Sequence, residues 1–252
     1  EIVFIYMKIG ITGAHGFIGS HLSRNLRVIK GTKILSFDLP DDNLVNPDVS
    51  RLKRFVKNVD IIIHAAAVNR GTDAEVIAGS VVATYHLVEA VKKYNPCVKI
   101  IFLSSIQAET DSLYGRSKRL AENLLEELAA KHGVPVSIFR LTNIFGEGGR
   151  PFYNSVVSTF ASEVVKGRTL PVSDPKRKLR LLHVSHLVRE VTKEVLTLRK
   201  QKFHFKRLDS KSEISVGTLA ELMKAFATGE RKPKNAFERE LHNTFLSYVR
   251  HK

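Results

Sequence analysis

"ITGAHGFIGSHL", residues 11–22, places Gly13, Gly16 and Gly19 directly after a short β-rich run and at the opening of a helical pattern. At such a junction the chain must turn tightly, and glycines let the backbone approach a pyrophosphate with no Cβ in the way. The N–H groups that open the helix, those of Phe17 and Ile18 among them, then face the phosphate oxygens, helped by the positive end of the helix dipole. A plain turn with close helix packing is the simpler reading of a glycine triplet. The GxxGxxG spacing between strand and helix favours a dinucleotide.

Working outward, "KIGIT" 8–12, "KILSF" 33–37, "DIIIHAA" 60–66, "VKIIFLSS" 98–105 and "VSIFRL" 136–141 alternate with helical patterns. The helices are expected from about Phe17, Arg51 and Asp73, over about 112–131, and over about 152–166. Apolar strands that are continuous rather than alternating are buried on both faces, and helices between them imply right-handed parallel crossovers. The fold class is therefore α/β, a doubly wound parallel sheet. After Gly146 the order loosens into "GEGGRP", a strand-like "LRLLHV" 179–184, a helix over about 186–199, and helical pieces at 214–227 and 235–249. No linker separates a second domain, so one domain over 1–252 is expected. Its core spans about 7–145 with 179–200 returning to it, and 146–178 and 201–252 supply a small substrate-binding region.

Forty Lys+Arg against 25 Asp+Glu give a net charge of +15, a field that favours polyanions, from phosphorylated small molecules to nucleic acid or an anionic membrane surface. The densest run, "PKRKLR" at 175–180, has no interleaved aromatic residues, so it reads as a solvated face and nucleic acid is not an expected partner. Cys97 alone cannot form an intramolecular disulfide, no signal peptide is visible, and the apolar "EIVFIY" is too short to span a bilayer. A reducing cytoplasm is the expected location. Because Met7 opens the first strand-like run, residues 1–6 read as an upstream extension.

Asp38 ends the second strand, 19 residues past Gly19, where a carboxylate takes the adenosine ribose hydroxyls and repels a 2′-phosphate. NAD(H) is thereby favoured over NADP(H), with a turn-forming aspartate as the other reading. Position alone assigns Asp48 and Val49 to the adenine edge, and the small Ala65, Ala66 and Ala67 to the cofactor's path. His64 reads as a structural strand-end histidine, and no metal site is expected. In "SSIQAETDSLYGRSKRLAEN", 104–123, Tyr114 and Lys118 stand at i and i+4 on one helix face. A neighbouring ammonium stabilises phenolate and turns the tyrosine into a usable general acid, and Lys118 also suits the nicotinamide ribose. Ser105, at a strand's C-terminal end, is placed to donate to a substrate oxygen. Ser105, Tyr114 and Lys118 are the expected catalytic set.

These motifs, TGxxGxxG at 12–19, Asp38, HAAA at 64, Ser105, YxxxK at 114–118 and "RLTNIFGEG" at 140–148, stand in the order of the extended short-chain dehydrogenase/reductases, and the chain resembles that epimerase/dehydratase family of Rossmann-fold enzymes over nearly its whole length. The resemblance implies substrate contacts at Ser105, Gln107, Asn143 and Arg180, the last pairing with nucleotide phosphates, and a homodimer through helices near 73–93 and 112–131. "PFYNSVVSTF" and "NAFERELHNTFLSYV" are similar to the reductase domains of bifunctional capsular-polysaccharide enzymes, in which a cupin epimerase domain follows. The sequence given stops at Lys252, so a cupin partner would be lost, truncated or separately encoded. Three departures stand out. Ile106 and Gln107 replace the Asp-Glu pair of 4,6-dehydratases, Ser80 stands ahead of Thr84 where epimerases carry asparagine, and His186 replaces a common aspartate. Asp38 also sits awkwardly with the NADPH preference of the capsular reductases. The expected function is an NAD(P)-dependent reductase of a 4-keto UDP-N-acetylaminosugar, with a nucleotide-sugar 4-epimerase as rival. A cofactor-sensing or nucleic-acid-binding protein on the same fold is the alternative from another class.

Overall fold

A computed structural model describes residues 6–197, 201–210 and 213–250. Its centre is a six-stranded sheet in the order β2-β1-β3-β4-β5-β8, parallel throughout. The strands are β1 (Met7–Thr12), β2 (Thr32–Phe37), β3 (Ile61–His64), β4 (Lys99–Ser105), β5 (Val136–Leu141) and β8 (Phe203–Leu208). All four residues of β3 are buried, as a strand covered on both faces requires. From β1 the chain moves outward to β2 and then returns to the other side of β1 as β3. That reversal opens a crevice at the strand ends where the glycine loop lies.

The connecting helices are α1 (Phe17–Arg27), α2 (Val49–Lys57), α3 (Asp73–Ile77), α4 (Ala83–Tyr94) and α5 (Leu113–His132). Leu52, Phe55, Leu87, Val91, Leu125 and Leu128 from α2, α4 and α5 form one core with Ile62, Ile100 and Phe102 of the sheet. Each such fully buried side chain contributes about 1.5–3 kcal/mol. The alternate strand residues Ile9, Ile11, Ile63 and Ile101 are equally buried on the opposite face, where α1 brings Leu22 and Leu26. Local chemistry fixes the helix ends. Thr72 and Glu75 form a capping box on α3, Ser112 Oγ accepts the Gly115 N–H at the start of α5, and Gly133 closes α5 in a left-handed turn. Between α3 and α4, residues Ala78–Val82 wind as a π-helix. The run Asp73–Tyr94 is long and apolar enough to cross a bilayer, but half of it is buried, packed with α2 and α5 in the core.

The chain forms two compact units, one reaching to Leu141 and including Val188–Leu208, the other comprising Thr142–Leu187 and the residues from Asp209 onward. The second holds β6 (Asn143–Phe145), α6 (Val156–Val165), β7 (Lys178–His183), β9 (Glu213–Ser215), α8 (Val216–Thr228) and α9 (Ala236–Val249). Its three-stranded sheet runs β6-β7-β9, and Phe145, Phe160, Leu219, Met223, Leu241 and Phe245 form its core. Helix α7 (Val184–Leu196) begins there.

The doubly wound parallel sheet agrees with the sequence reading, and several boundaries differ from it. Phe203–Leu208, read as substrate-binding material, is the sixth strand of the large sheet, because β5 offers it a parallel ladder that its own pattern does not announce. The strand read at 179–184 joins the small sheet, not the large one. Helix α6 starts at Val156 rather than near 152, because Phe152 has a φ of 58° and Ser155 caps the helix. Residues 1–5 of the apolar start, and 198–199 of the helix expected to reach 199, lie outside the described residues.

Candidate active site

The glycine loop is sterically committed. Gly13 has a φ of 71°, and a Cβ there would lie 2.7 Å from the Ala66 nitrogen; a Cβ on Gly19 would lie 2.0 Å from the Gly13 carbonyl oxygen. Only glycine fits at either position. Gly16 caps α1 without a side chain, so the amides of the first turn receive no capping oxygen from it. An uncapped helix start opened by glycines is a cradle for an anion, which fits a dinucleotide pyrophosphate.

Asp38 lies against this loop. Its Oδ2 accepts the His15 N–H at 2.7 Å and its Oδ1 accepts the Leu39 N–H at 2.9 Å. Each oxygen keeps a further acceptor site for a ribose hydroxyl. The adenine-edge reading of Asp48 and Val49 meets a competing fact: Asp48 is the N-cap of α2, its Oδ1 accepting the Arg51 N–H at 3.0 Å, and Val49 is the exposed first residue of that helix. An aspartate just ahead of a helical pattern is itself a helix-start signal.

At the end of β3, His64 is buried in a hydrogen-bonded chain. Its Nδ1 lies 2.7 Å from Thr12 Oγ1 and its Nε2 lies 3.0 Å from Thr84 Oγ1, while Thr84 donates to the Ser80 carbonyl at 2.6 Å. Because the one Thr84 proton is used on that carbonyl, His64 carries its proton on Nε2 and accepts from Thr12. Burial, with the Lys118 charge adding, holds its pKa down to about 3, so it is neutral and structural. Ser80 and Thr84, singled out in sequence, belong to this tie. Ala65, Ala66 and Ala67 follow it and are partly exposed, with the Ala65 N–H on the Thr12 carbonyl and the Ala66 N–H on Thr12 Oγ1.

The serine pair divides its work. Ser104 is buried and donates to Glu122, whereas Ser105 is partly exposed, capping the short 3₁₀ turn Ile106–Glu109 and accepting the Gln107 N–H at 3.2 Å. Gln107 itself is exposed. Helix α5 packs against this turn so closely that a Cβ on Gly115 would lie 2.2 Å from the Gln107 carbonyl oxygen. Tyr114, beside that glycine, is half-buried. Lys118 is only 3% exposed; its Nζ donates to the Leu103 carbonyl at 3.3 Å and lies 4.8 Å from the Phe102 ring centroid and 6.0 Å from that of Tyr114. Burial pushes its pKa down to about 8, with Glu122 pulling the other way.

Glu122, which sequence reasoning passed over, anchors this group. It takes a two-pronged contact from Arg140 at 2.9 and 2.5 Å, Arg140 reaches Glu109 at 3.3 Å, and Arg207 reaches Glu109 at 2.7 Å. Its one signal was position, four residues past Lys118 on the same helix face.

In the second unit, Asn143 donates through Nδ2 to the Arg180 carbonyl at 3.3 Å. Arg180 is half-exposed, and its guanidinium is engaged by Asp209 at 2.9 Å and Glu213 at 3.6 Å. A phosphate ligand there competes with two carboxylates. His186, in the place of the common aspartate, meets Glu240 at 2.6 Å.

Residues 9–202 match the NAD dependent epimerase/dehydratase family. The chain belongs to that family. It is 33% identical over 249 residues to the UDP-2-acetamido-2,6-beta-L-arabino-hexul-4-ose reductase of Pseudomonas aeruginosa, covering 96% of this chain and 65% of the relative. The capsular polysaccharide assembling protein CapF of Staphylococcus aureus superposes with a TM-score of 0.80 at 28% identity, over 96% of this chain and 65% of that one. The chain thus spans just under two thirds of the length of both. A Thermotoga maritima UDP-glucose 4-epimerase superposes with a TM-score of 0.85 at 20% identity, over 97% of this chain and 99% of that one, a likeness of fold.

Proposed function

We propose that the protein is an NAD(P)-dependent reductase of a 4-keto UDP-N-acetylaminosugar, acting in surface or capsular polysaccharide precursor synthesis. The observation that carries this reading is the buried Lys118 ammonium, 6.0 Å from the ring of a half-buried Tyr114 on the helix that packs against the Ser105 turn. The name of the 33%-identical relative supports the substrate class, and that of CapF supports a place in capsular polysaccharide synthesis.

A bound nicotinamide supplies hydride to the sugar carbonyl carbon. The Tyr114 hydroxyl gives its proton to the carbonyl oxygen, and the Ser105 hydroxyl donates a hydrogen bond to the same oxygen as charge develops there. Lys118, cationic below about pH 8, stabilises the phenolate left behind. Gly13, Gly16, Phe17, Ile18 and Gly19 hold the pyrophosphate, Asp38 the ribose hydroxyls with NAD(H) favoured, and Ala65–Ala67 the cofactor's flank. Gln107, Asn143 and Arg180 face the substrate. Ile106 and Gln107 offer neither the acid nor the base that a dehydration needs. The protein acts in the cytoplasm as a homodimer through the helices over about 73–93 and 112–131, where Tyr85 and Leu120 are exposed.

Tyr114→Phe lowers turnover by about 10²–10⁴-fold with cofactor binding intact; full turnover in that variant overturns the mechanism. With a 4-keto sugar nucleotide, one equivalent of NAD(P)H is consumed per sugar. Conversion with only catalytic cofactor identifies a 4-epimerase instead.

A further inference from the structure

Strand β2 ends the large sheet and pairs only with β1, three strands from the Ser105-bearing β4. At about 4.8 Å per strand that is roughly 14 Å from the catalytic strand. Between β2 and α2 lies a cavity of about 390 Å³. Lys33, Leu35 and Phe37 alternate along the strand and so share the face that looks onto it; Arg51, Arg54, Phe55 and Asn58 follow the i, i+3, i+4, i+7 pattern of one helix face.

The floor is built for close packing. A Cβ on Gly10 would lie 2.6 Å from the Phe55 ring, so the bare backbone of β1 is what lets that ring lie against the sheet. Phe37 meets Phe55 with centroids 5.2 Å apart, and Leu35 completes the apolar surface.

The rim is cationic, with Lys8, Lys33, Arg51 and Arg54 set against one carboxylate, Asp42. Arg51 is paired with Asp42 at 2.7 Å. Among the described residues, the side chains of Lys8, Lys33 and Arg54 have no carboxylate partner. Three uncompensated cations around one small cavity repel one another, and an anion of matching charge removes that cost. The volume suits a small molecule rather than a polymer.

We propose that this cavity is a second ligand site, separate from the catalytic one, for a phosphate-bearing small anion of two or more charges whose apolar part lies on Leu35 and Phe55. Sugar phosphates and nucleotides share that chemistry, and the site accounts for part of a basic charge that the reductase reading leaves unused.

The test titrates inorganic triphosphate, glucose 1-phosphate and UDP into the full chain at low salt, read by hydrogen–deuterium exchange. Saturable protection over 33–37 and 51–57 is expected, weakening as salt rises. The exposed double variant Lys33→Ala/Arg54→Ala, checked for folding by circular dichroism, weakens binding by about tenfold or more, since two charge-assisted contacts go. Tighter binding of glucose 1-phosphate than of UDP assigns the site to sugar phosphates, and the reverse order to nucleotides. Protection confined to 13–19, equal affinity in the double variant, absence of saturable binding, or tighter binding of an acidic peptide than of any phosphate each overturns the proposal.

Discussion

Replacing Lys118 with methionine separates stability from activity. The wild-type ammonium is buried and its pKa lowered from 10.5 to about 8, so at neutral pH the folded protein holds a cation it would sooner lose. At ~1.4 kcal/mol per pKa unit, the shift costs about 3 kcal/mol of stability at pH 7. The sign follows from proton counts: between pH 8 and 10.5 the unfolded chain binds more protons at this group than the folded one, so the cost is full below 8 and disappears as pH rises through that window. Lys118→Met removes the cost along with the Leu103 hydrogen bond, about 1 kcal/mol, and the contact with the Phe102 ring, about 1 kcal/mol. Glu122 is not stranded, because Arg140 still holds it. Urea unfolding at pH 7 therefore finds the variant about 1 kcal/mol more stable than wild type. On moving to pH 11, wild type gains about 3 kcal/mol relative to the variant. Turnover falls by about 10²–10⁴-fold at the same time. A stability difference that does not change with pH, or a variant destabilised by ~2 kcal/mol or more at pH 7, refutes the account of Lys118 as a buried cation kept for chemistry.

Other perturbations read other parts of the site. Gly19→Ala puts a methyl 2.0 Å from the Gly13 carbonyl oxygen, and dinucleotide affinity measured by fluorescence falls about tenfold or more while far-UV circular dichroism stays native. Glu122→Gln leaves Arg140 without its main counter-charge and destabilises the fold by about 3 kcal/mol in urea. Asp38→Ala removes the carboxylate that repels a 2′-phosphate, so the ratio of kcat/KM for NADPH over NADH rises by about tenfold or more. His64 is held neutral with its pKa near 3, so from pH 6.5 down to 3 its protonation in the unfolded chain alone lowers stability, by about 1.4 kcal/mol per pH unit. Acid titration of the unfolding midpoint checks this slope.

Much of the architecture was legible because it rests on local patterns. Strands β3 and β4 carry the unbroken apolar runs Ile61–Ile63 and Ile100–Leu103, and the glycine loop carries its own steric code in Gly13 and Gly19. What escaped depends on partners distant in sequence. "FHFKRL" is strand β8 only because β5 pairs with it and because Lys206 and Arg207 find Glu190 and Glu109. The π-helical turn Ala78–Val82 has no sequence signature, and the three-residue strands β6 and β9 are too short for any periodicity. Asp48 carries a signal of its own, since an aspartate just before a helix has a local role in capping that stands beside any role at the adenine edge.

Helix α5 ties the proposed site to the core. Tyr114, Lys118 and Glu122 step at i, i+4 and i+8 down one face, from half-buried to almost fully buried. A carboxylate at the deep end is tolerable only with full compensation, which Ser104 of β4 and Arg140 of β5 supply from adjacent strands. Those two contacts fix the rotation of the helix about its axis, since any other rotation strands Glu122. With that rotation set, the residue one turn earlier carries its amine to the Leu103 carbonyl, and Tyr114, one turn before that, lies on the same face with its ring 6.0 Å from that amine. Tyr114 and Lys118, the proposed proton donor and its cation, are thus oriented by a buried ion cluster that takes no part in the proposed chemistry. Loss of Arg140 should on this reasoning disturb turnover as well as stability: Arg140→Met lowers kcat by about tenfold even at temperatures where the fold is intact, while Arg207→Met, which loses an ion pair with the exposed Glu109 and leaves the Arg140–Glu122 contact in place, leaves kcat within about twofold. Equal kcat in wild type and Arg140→Met, with stability alone reduced, removes the positioning role from the cluster.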